Sequence, residues 1–262
     1  MQNFDFVKPS SVADAVKALA AEGAQALSGG QTLTPAMKQR LATPSVLVSL
    51  TGIAEMKGVK QNGQVLWVGA ATPHAVVAKE AASVFPGLAH LAGGIGDPAV
   101  RNRGTLGGSI ANNDPAACYP SAVLGSGATV ITNKRRIAAD DYFTGMFSTA
   151  LAEGEIVTAV EFPIPKRGAY AKFNQPASRF ALTGAFVTQA ADGSVRVAIT
   201  GASNNGVFRW KEAEAALKTN FSAAALAGLK VDATDMISDL HGSAAYRANL
   251  VKVMTGRAVS AA

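Results

Sequence analysis

Two glycine-rich segments, Ser28-Gly29-Gly30-Gln31-Thr32-Leu33-Thr34 and Arg103-Gly104-Thr105-Leu106-Gly107-Gly108-Ser109-Ile110, stand about seventy-five residues apart, each beside or within apolar stretches that read as strand. Adjacent glycines let a main chain approach a ligand closely and adopt positive φ, so that consecutive N–H groups converge on anionic oxygens with no Cβ in the way. Hydroxyls at Ser28, Thr32, Thr105 and Ser109 add short donors. The pair therefore predicts two backbone cradles for one pyrophosphate. At roughly 1.5–3 kcal/mol for each charge-assisted hydrogen bond, about four or five converging donors suffice for micromolar binding of a dinucleotide.

Composition supports a folded, water-soluble carrier of such a ligand. The chain has 262 residues, 48% hydrophobic and 16% charged, enough for one large core or two modest ones and without a disordered block. No apolar run reaches the roughly 18–20 residues of a membrane span, and Met1-Gln2-Asn3-Phe4-Asp5-Phe6 lacks the basic start and apolar stretch of a signal peptide, so a cytoplasmic location without membrane insertion is expected. The single cysteine, Cys118, excludes an internal disulfide and leaves no thiolate set for zinc or an iron–sulfur cluster, so any metal centre is expected on another chain. His74, His90 and His241 stand apart from one another and read as capping or packing residues. The net charge of +6 is scattered, with Lys134-Arg135-Arg136 the densest cluster, and this argues against nucleic acid while suiting an anionic dinucleotide or an acidic partner.

The periodicity divides the chain into α/β and α+β parts. Phe4 and Phe6 read as a short strand, Ser10 or Ser11 as the cap of a helix through Ala20, Ala26-Leu27 as a strand entering the first glycine turn, Leu33 to Leu41 as a helix and Val46 to Val48 as a strand. A hairpin follows around Asn62-Gly63, then a helix capped by Thr72 with Pro73 at its first position, another at Gly87 to Ala92, and strands at 128–132, 136–137 and 155–162. Pro163 and Pro165 mark a boundary. Beyond it, strands at 186–188 and 195–200 and helices at 208–219 and 246–255, the last ending at Gly256, read as an α+β module.

The two glycine motifs, their separation, Thr72-Pro73-His74, the string from Gly96-Asp97-Pro98-Ala99-Val100-Arg101 through Asn102-Arg103-Gly104-Thr105-Leu106-Gly107-Gly108-Ser109, and Asn113-Asp114-Pro115-Ala116 together resemble the FAD-binding medium subunits of the molybdenum hydroxylases, the family of the carbon monoxide dehydrogenase and xanthine dehydrogenase flavoproteins. The resemblance covers nearly the whole chain. It implies an α+β architecture: a two-subdomain FAD-binding domain of the p-cresol methylhydroxylase and vanillyl-alcohol oxidase type over residues 1–165 (subdomains about 1–55 and 56–165), then a small C-terminal domain over 166–262 with an antiparallel sheet and helices. It also implies an oxidoreductase subunit that carries electrons from iron–sulfur clusters on a partner through non-covalent FAD to NAD, a quinone or oxygen. Molybdopterin would lie on a large partner, two iron–sulfur clusters on a small one, and the whole would be a dimer of heterotrimers.

Carried over residue by residue, the resemblance implies that Leu27, Ser28, Gly29, Gly30, Gln31, Thr32, Leu33 and Thr34 wrap the diphosphate, and that Gly104, Thr105, Leu106, Gly107 and Gly108 complete the cradle with Ser109 beside it. Ile95 and Gly96 would lie along the cofactor, and Asp114 would bond a polar part of it. Ile156 and Val157 would lie near the adenine or flavin ring, and Tyr170 near the isoalloxazine. No catalytic residue and no metal ligand is expected in this chain. Two departures stand out: Asn174 occupies a place where several relatives carry lysine, and Ser178-Arg179-Phe180-Ala181 lacks the acid of an Arg-x-x-Asp-Phe-Ala pattern. Arg101 and Arg103 either steer phosphate or pair with acids. Cys118 reads as an inert core residue rather than a flavin attachment point. The competing class is a stand-alone flavoenzyme, which needs its own acid or base over the flavin. A nicotinamide enzyme of the Rossmann type fails because neither turn gives Gly-x-Gly-x-x-Gly opening a helix with an acid about twenty residues on.

Overall fold

The computed structural model describes all 262 residues. The chain begins with β1 (Asp5–Val7), α1 (Val12–Leu19), β2 (Ala24–Leu27), α2 (Leu33–Lys38) and β3 (Val46–Ser49). The three strands are parallel in the order β1-β3-β2, with Phe6 opposite Leu47 and Ala26 opposite Val48. Ser11 caps α1 by accepting from the Asp14 N–H, and the apolar stripe of that helix buries Ala15 completely. Because the strands are parallel, their carboxyl ends share one edge, and the loop after β2 that carries the first glycine pair emerges there.

A five-stranded antiparallel sheet, ordered β4-β5-β10-β6-β7, forms the next layer. It opens with the hairpin β4 (Val59–Asn62) and β5 (Val65–Gly69). Five helices intervene, α3 (His74–Glu80), α4 (Pro86–Gly93), α5 (Pro98–Arg101), α6 (Leu106–Asn112) and α7 (Tyr119–Ser126), before β6 (Thr129–Thr132) and β7 (Arg136–Ala138). Helix α8 (Ala139–Tyr142) and the small hairpin β8 (Phe143–Gly145) and β9 (Ser148–Thr149) lead to the central strand β10 (Val157–Pro163). Every residue of α7 is buried, and its two serines donate to carbonyls of their own helix turns, Ser121 to Cys118 and Ser126 to Ala122, while the Tyr119 hydroxyl is left without a partner. Beside the sheet, Arg135 bonds Glu155 and holds its carboxyl down to about 2, with the Ala152 N–H and the Thr132 hydroxyl as further donors.

A four-stranded antiparallel sheet, β11 (Arg167–Asn174), β12 (Ala181–Gln189), β13 (Val195–Thr200) and β14 (Phe208–Arg209), follows with α9 (Lys211–Thr219) and α10 (Ala244–Ala261). One face of this sheet gives Tyr170, Phe186 and Ala198 to the main core of 36 buried residues, while α9 and α10 cover the other face to make a core of 18. Glycine makes the junction tight: a Cβ on Gly87 would lie 2.5 Å from the Gly168 carbonyl oxygen. Hydrogen bonds from Thr188 to Gly125, Thr200 to Ala117 and Arg196 to Asp140 fasten the same seam. No helix is long and apolar enough to cross a membrane.

Four local expectations need correction. Thr72 does not cap α3: its hydroxyl accepts from the Gly58 N–H and donates to the Gly58 carbonyl, and Pro73 is the cap residue. Helix α2 stops at Lys38 because Arg40 turns to φ +62°. Residues 208–209 form a strand rather than the first turn of a helix, since Ile199 and Ala198 of β13 pair with them. Helix α10 runs through Gly256 to Ala261, its packing against the sheet outweighing the roughly 1 kcal/mol cost of an interior glycine.

Candidate cofactor site

The first glycine loop meets the second segment directly. A Cβ on Gly29 would stand 2.1 Å from the Arg103 carbonyl oxygen and 2.6 Å from the Gly104 Cα, so only glycine permits this approach. The Ser28 and Thr105 hydroxyls lie 2.8 Å apart, and Gly30 takes φ +69°. Within the loop, the backbone N–H groups of Gly29, Gly30, Gln31, Thr32 and Leu33 have no protein acceptor. Thr32 sits at the start of α2 without a side-chain cap, and the N–H of Thr34 is the first to be engaged, by Gly30. Five successive free donors on a half-exposed loop are what a diphosphate requires.

The second segment differs from the expected cradle. Residues Leu106 to Asn112 form α6, with Thr105 as its cap accepting from Gly108. The N–H of Gly107 already donates to the Ala70 carbonyl at 2.8 Å, and a Cβ there would meet the Ala70 Cβ at 2.5 Å. Leu106 and Gly107 are buried. Gly104 is overlaid by His74, whose Nε2 would lie 2.6 Å from a Cβ at that position. The two-cradle expectation thus becomes one donor-bearing loop backed by a packed helix start. The glycines of the second segment permit close packing, and Gly108, exposed beside Ser28, faces the shared cleft. Ser109 is half-buried one residue further on.

His74 reads from the sequence as a capping or packing residue, and in the structure it packs at a specific place. Its ring lies 5.2 Å from that of Tyr119, burial with help from the Arg101 charge lowers its pKa to about 4, and its Nδ1 has no partner. The imidazole is therefore neutral at pH 7. Arg101 pairs with no acid; it donates to the carbonyls of Ile95 and Gly96, and Arg179 of the third sheet's loop reaches the same Gly96 carbonyl. Lys172 of β11 bridges the Gly94 and Arg179 carbonyls and lies 3.6 Å from the Cys118 sulfur. Arg101, Lys172 and Arg179 thus converge on the Gly94–Gly96 turn, and Gly96 and Gly104 are joined through Val100.

The remaining predicted residues are placed as follows. Ile95 and Gly96 are half-buried on that turn, and Asp97 caps α5 by accepting from the Val100 N–H. Asp114 accepts from the Ala116 N–H in a local turn. Ile156 and Val157 belong to the main core, and Tyr170 is buried there against Phe186, its hydroxyl unpartnered and its pKa raised by burial. Cys118 is a buried, free thiol, as a core residue would be. The sequence reading missed Phe6, Lys8, Ser49, Thr51 and Gly52, which gather with Leu27, Ser28 and Arg103 around a cavity of about 410 Å³. Nothing local marks them: Lys8 and Ser49 sit at the ends of two strands that meet only in the sheet.

Comparison with known proteins identifies the family of the chain. Residues 2–165 match the family described as the FAD binding domain in molybdopterin dehydrogenase. The carbon monoxide dehydrogenase medium chain of Afipia carboxidovorans is 34% identical over 99% of this chain and 96% of its own length. The nicotine 6-hydroxylase medium subunit of Paenarthrobacter nicotinovorans is 34% identical over 97% and 95%. Among solved structures, the reconstituted CO dehydrogenase from Oligotropha carboxidovorans superimposes with a TM-score of 0.90 at 33% identity, covering 99% of this chain and 97% of that one. Quinoline 2-oxidoreductase from Pseudomonas putida 86 does so with a TM-score of 0.86 at 29% identity, covering 100% and 97%.

Proposed function

The chain belongs to the FAD-binding medium subunits of the molybdenum hydroxylases, subunits of multi-chain oxidoreductases, and from that premise we propose that it is the electron-transfer flavoprotein of such a hydroxylase. In this reading electrons leave iron–sulfur clusters on a small partner, pass through FAD held here, and reach an external acceptor of the NAD, quinone or oxygen class. The substrate is oxidised at a molybdenum centre on a large partner, and the complex assembles as a dimer of heterotrimers. The observation that carries the reading is the run of five unengaged N–H groups from Gly29 to Leu33 beside the paired hydroxyls of Ser28 and Thr105.

The residues present fit FAD. The loop presents five unengaged N–H groups while Gly29, bare of a side chain, seats it against Arg103, and the orphaned His74 Nδ1 shows a buried polar group over the neighbouring Gly104. A bound flavin takes up electrons in pairs or singly and so joins a one-electron chain to a two-electron acceptor. The chain's own part is to hold, orient and charge-balance. Gly29 to Leu33 bind the diphosphate, and Thr105 fixes the Ser28 hydroxyl at its edge. Arg101, Lys172 and Arg179 set a positive field at the Gly94–Gly96 turn, and none of the three forms an ion pair. We place the FAD-binding domain at 1–165 and the C-terminal domain at 166–262, and we assign the twenty residues from Leu27 to Tyr170 named above to the cofactor site, of which Leu106, Gly107, Ile156, Val157 and Tyr170 shape it through packing and do not touch the cofactor. None of these groups is an acid or base poised for substrate chemistry, which favours an electron carrier over a self-contained oxidase.

Native purification with a visible spectrum and metal analysis tests the reading. Stoichiometric flavin, molybdenum, iron and two further chains are expected, with flavin reduction trailing iron–sulfur reduction in rapid mixing. A yellow, metal-free monomer would show a stand-alone flavoenzyme, and a chain unable to take up FAD would overturn both.

A further inference from the structure

The Cys118 sulfur has no part in the cofactor site described above, yet it is not an ordinary core atom. Cys118 opens α7, is 5% exposed, and is the chain's only cysteine, so no internal disulfide can engage it. Lys172, half-buried on β11, brings its Nζ to 3.6 Å from the sulfur across 54 residues of chain. Two further bonds fix that approach: the ammonium donates to the Gly94 carbonyl at 2.8 Å and to the Arg179 carbonyl at 2.7 Å. Tyr170 lies two residues earlier on the same face of β11, is 4% exposed, and its hydroxyl has no partner. Burial, and then the adjacent Cys118, push the pKa of that hydroxyl up, so it stands protonated beside the sulfur as an unspent donor. A buried thiol packed only by apolar groups is inert. This one has a primary amine in contact and a free hydroxyl next to it, and a bond between sulfur and amine spans the seam between α7 and the C-terminal sheet.

We propose that Cys118 and Lys172 form a redox-closable pair, in which oxidation of the thiol by hydrogen peroxide ends in a covalent sulfur–nitrogen link, a sulfenamide, between α7 and β11. First the sulfur attacks one peroxide oxygen: the O–O bond breaks, sulfur loses two electrons, and a sulfenic acid and one water result. Then the Lys172 Nζ, having given up a proton to solvent, attacks the sulfur and displaces the hydroxyl, which leaves as a second water with a proton from the nitrogen. Peroxide is the only oxidant consumed and sulfur the only atom oxidised. Contact between the two groups makes the second step intramolecular and sets it ahead of a further oxidation of the sulfur. The Tyr170 hydroxyl donates to the sulfenic oxygen as it departs. Closure also alters the surroundings. The linked nitrogen keeps one N–H and no charge, so it can hold only one of the Gly94 and Arg179 carbonyls, and the Gly94–Gly96 turn loses one of its three cations. The pair closes with peroxide from any source and so stands apart from the flavoprotein reading.

The purified full-length chain is treated with hydrogen peroxide, quenched with catalase, and read by peptide mass mapping and thermal unfolding. The expected product contains one linked peptide pair carrying Cys118 and Lys172, lighter by two hydrogens than its separate halves, and dithiothreitol returns it to the free peptides. The linked chain melts several degrees higher than the reduced one, because the bond closes a 54-residue loop. Dimedone, which traps sulfenic acid, labels Cys118 about fivefold more in Lys172→Gln than in wild type, since no amine removes the intermediate. Tyr170→Phe still links, several-fold more slowly. Cys118→Ser yields no linked pair, and the melting temperatures of the reduced variants check that each is folded. A wild-type chain whose Cys118 stays a thiol, or passes to sulfinic acid with no linked peptide, overturns the pair. Equal dimedone labelling in folded Lys172→Gln and wild type overturns it as well. The wild-type map decides by itself should either variant fail to fold.

Discussion

In the loop from Gly29 to Leu33 five successive N–H groups point to no protein atom, whereas seventy-five residues later Gly107 and Gly108 have both of theirs engaged, by the Ala70 carbonyl and the Thr105 hydroxyl. The two segments share glycine pairs, neighbouring hydroxyls and a place beside the same cleft. Their glycines serve opposite ends. In the first, absence of a side chain exposes donors and lets the loop reach Arg103. In the second it lets a helix start press onto the end of β5, at Ala70, and lets His74 lie over Gly104. A glycine motif therefore states that backbone comes close to something, and only the hydrogen-bond inventory tells whether that something is ligand or protein.

The largest test of this contrast is Gly107→Val. A branched side chain aimed at the Ala70 Cβ is expected to cost at least about 3 kcal/mol of stability, visible as a lowered melting temperature of the flavin-free chain. Full stability with lost flavin would place Gly107 at the ligand and erase the distinction. Second, acid should loosen the packed segment through His74. Its pKa is 6.5 unfolded and about 4 folded, so below pH 6.5 the unfolded chain takes up a proton that the folded chain refuses. Stability then falls as pH falls through that window, by about 2–3 kcal/mol at pH 4.5, where Glu155, whose carboxyl is held down to about 2 in the fold, adds only about 0.4 kcal/mol of further loss. Denaturant titrations at pH 7 and pH 4.5 should show this loss in wild type and only the small Glu155 share of it in His74→Gln. An equal loss in both would remove His74 from the account. The smallest effect is expected for Thr105→Val, which deletes the α6 cap and the bond to Ser28: about 1 kcal/mol in stability and a several-fold weaker FAD affinity. Loss of stability with FAD affinity intact would confine Thr105 to the packed side.

Much of the first layer could be read from local pattern. The stripe Val12, Ala15, Val16 and Leu19 specified α1, Ser11 its cap, and Asn62-Gly63 the β4–β5 hairpin. Where reading failed, a distant partner had outbid a local preference. Thr72 is a good cap by type, yet Gly58 from the other side of a hairpin occupies its hydroxyl. Gly256 marks a helix end by type, yet α10 lies along a sheet that keeps it helical for five more residues, to Ala261. The site shows the same division. Ser28 to Leu33 were visible because glycine and hydroxyl residues are contiguous there, while Lys8, Ser49 and Thr51 carry no mark, being brought together by parallel pairing of strands far apart in sequence.

By itself the sequence determined the family, the positions at which backbone must run without side chains, and the absence of cysteines for a metal cluster, because these depend on residue type and contiguous order. Tertiary structure decided which glycines free a donor and which bury one, that His74 is neutral and wedged over Gly104, and that two lone cations share one cavity. Those outcomes turn on which partner lies within hydrogen-bonding or Coulomb range, a distance that the chain's order leaves open until the sheets close.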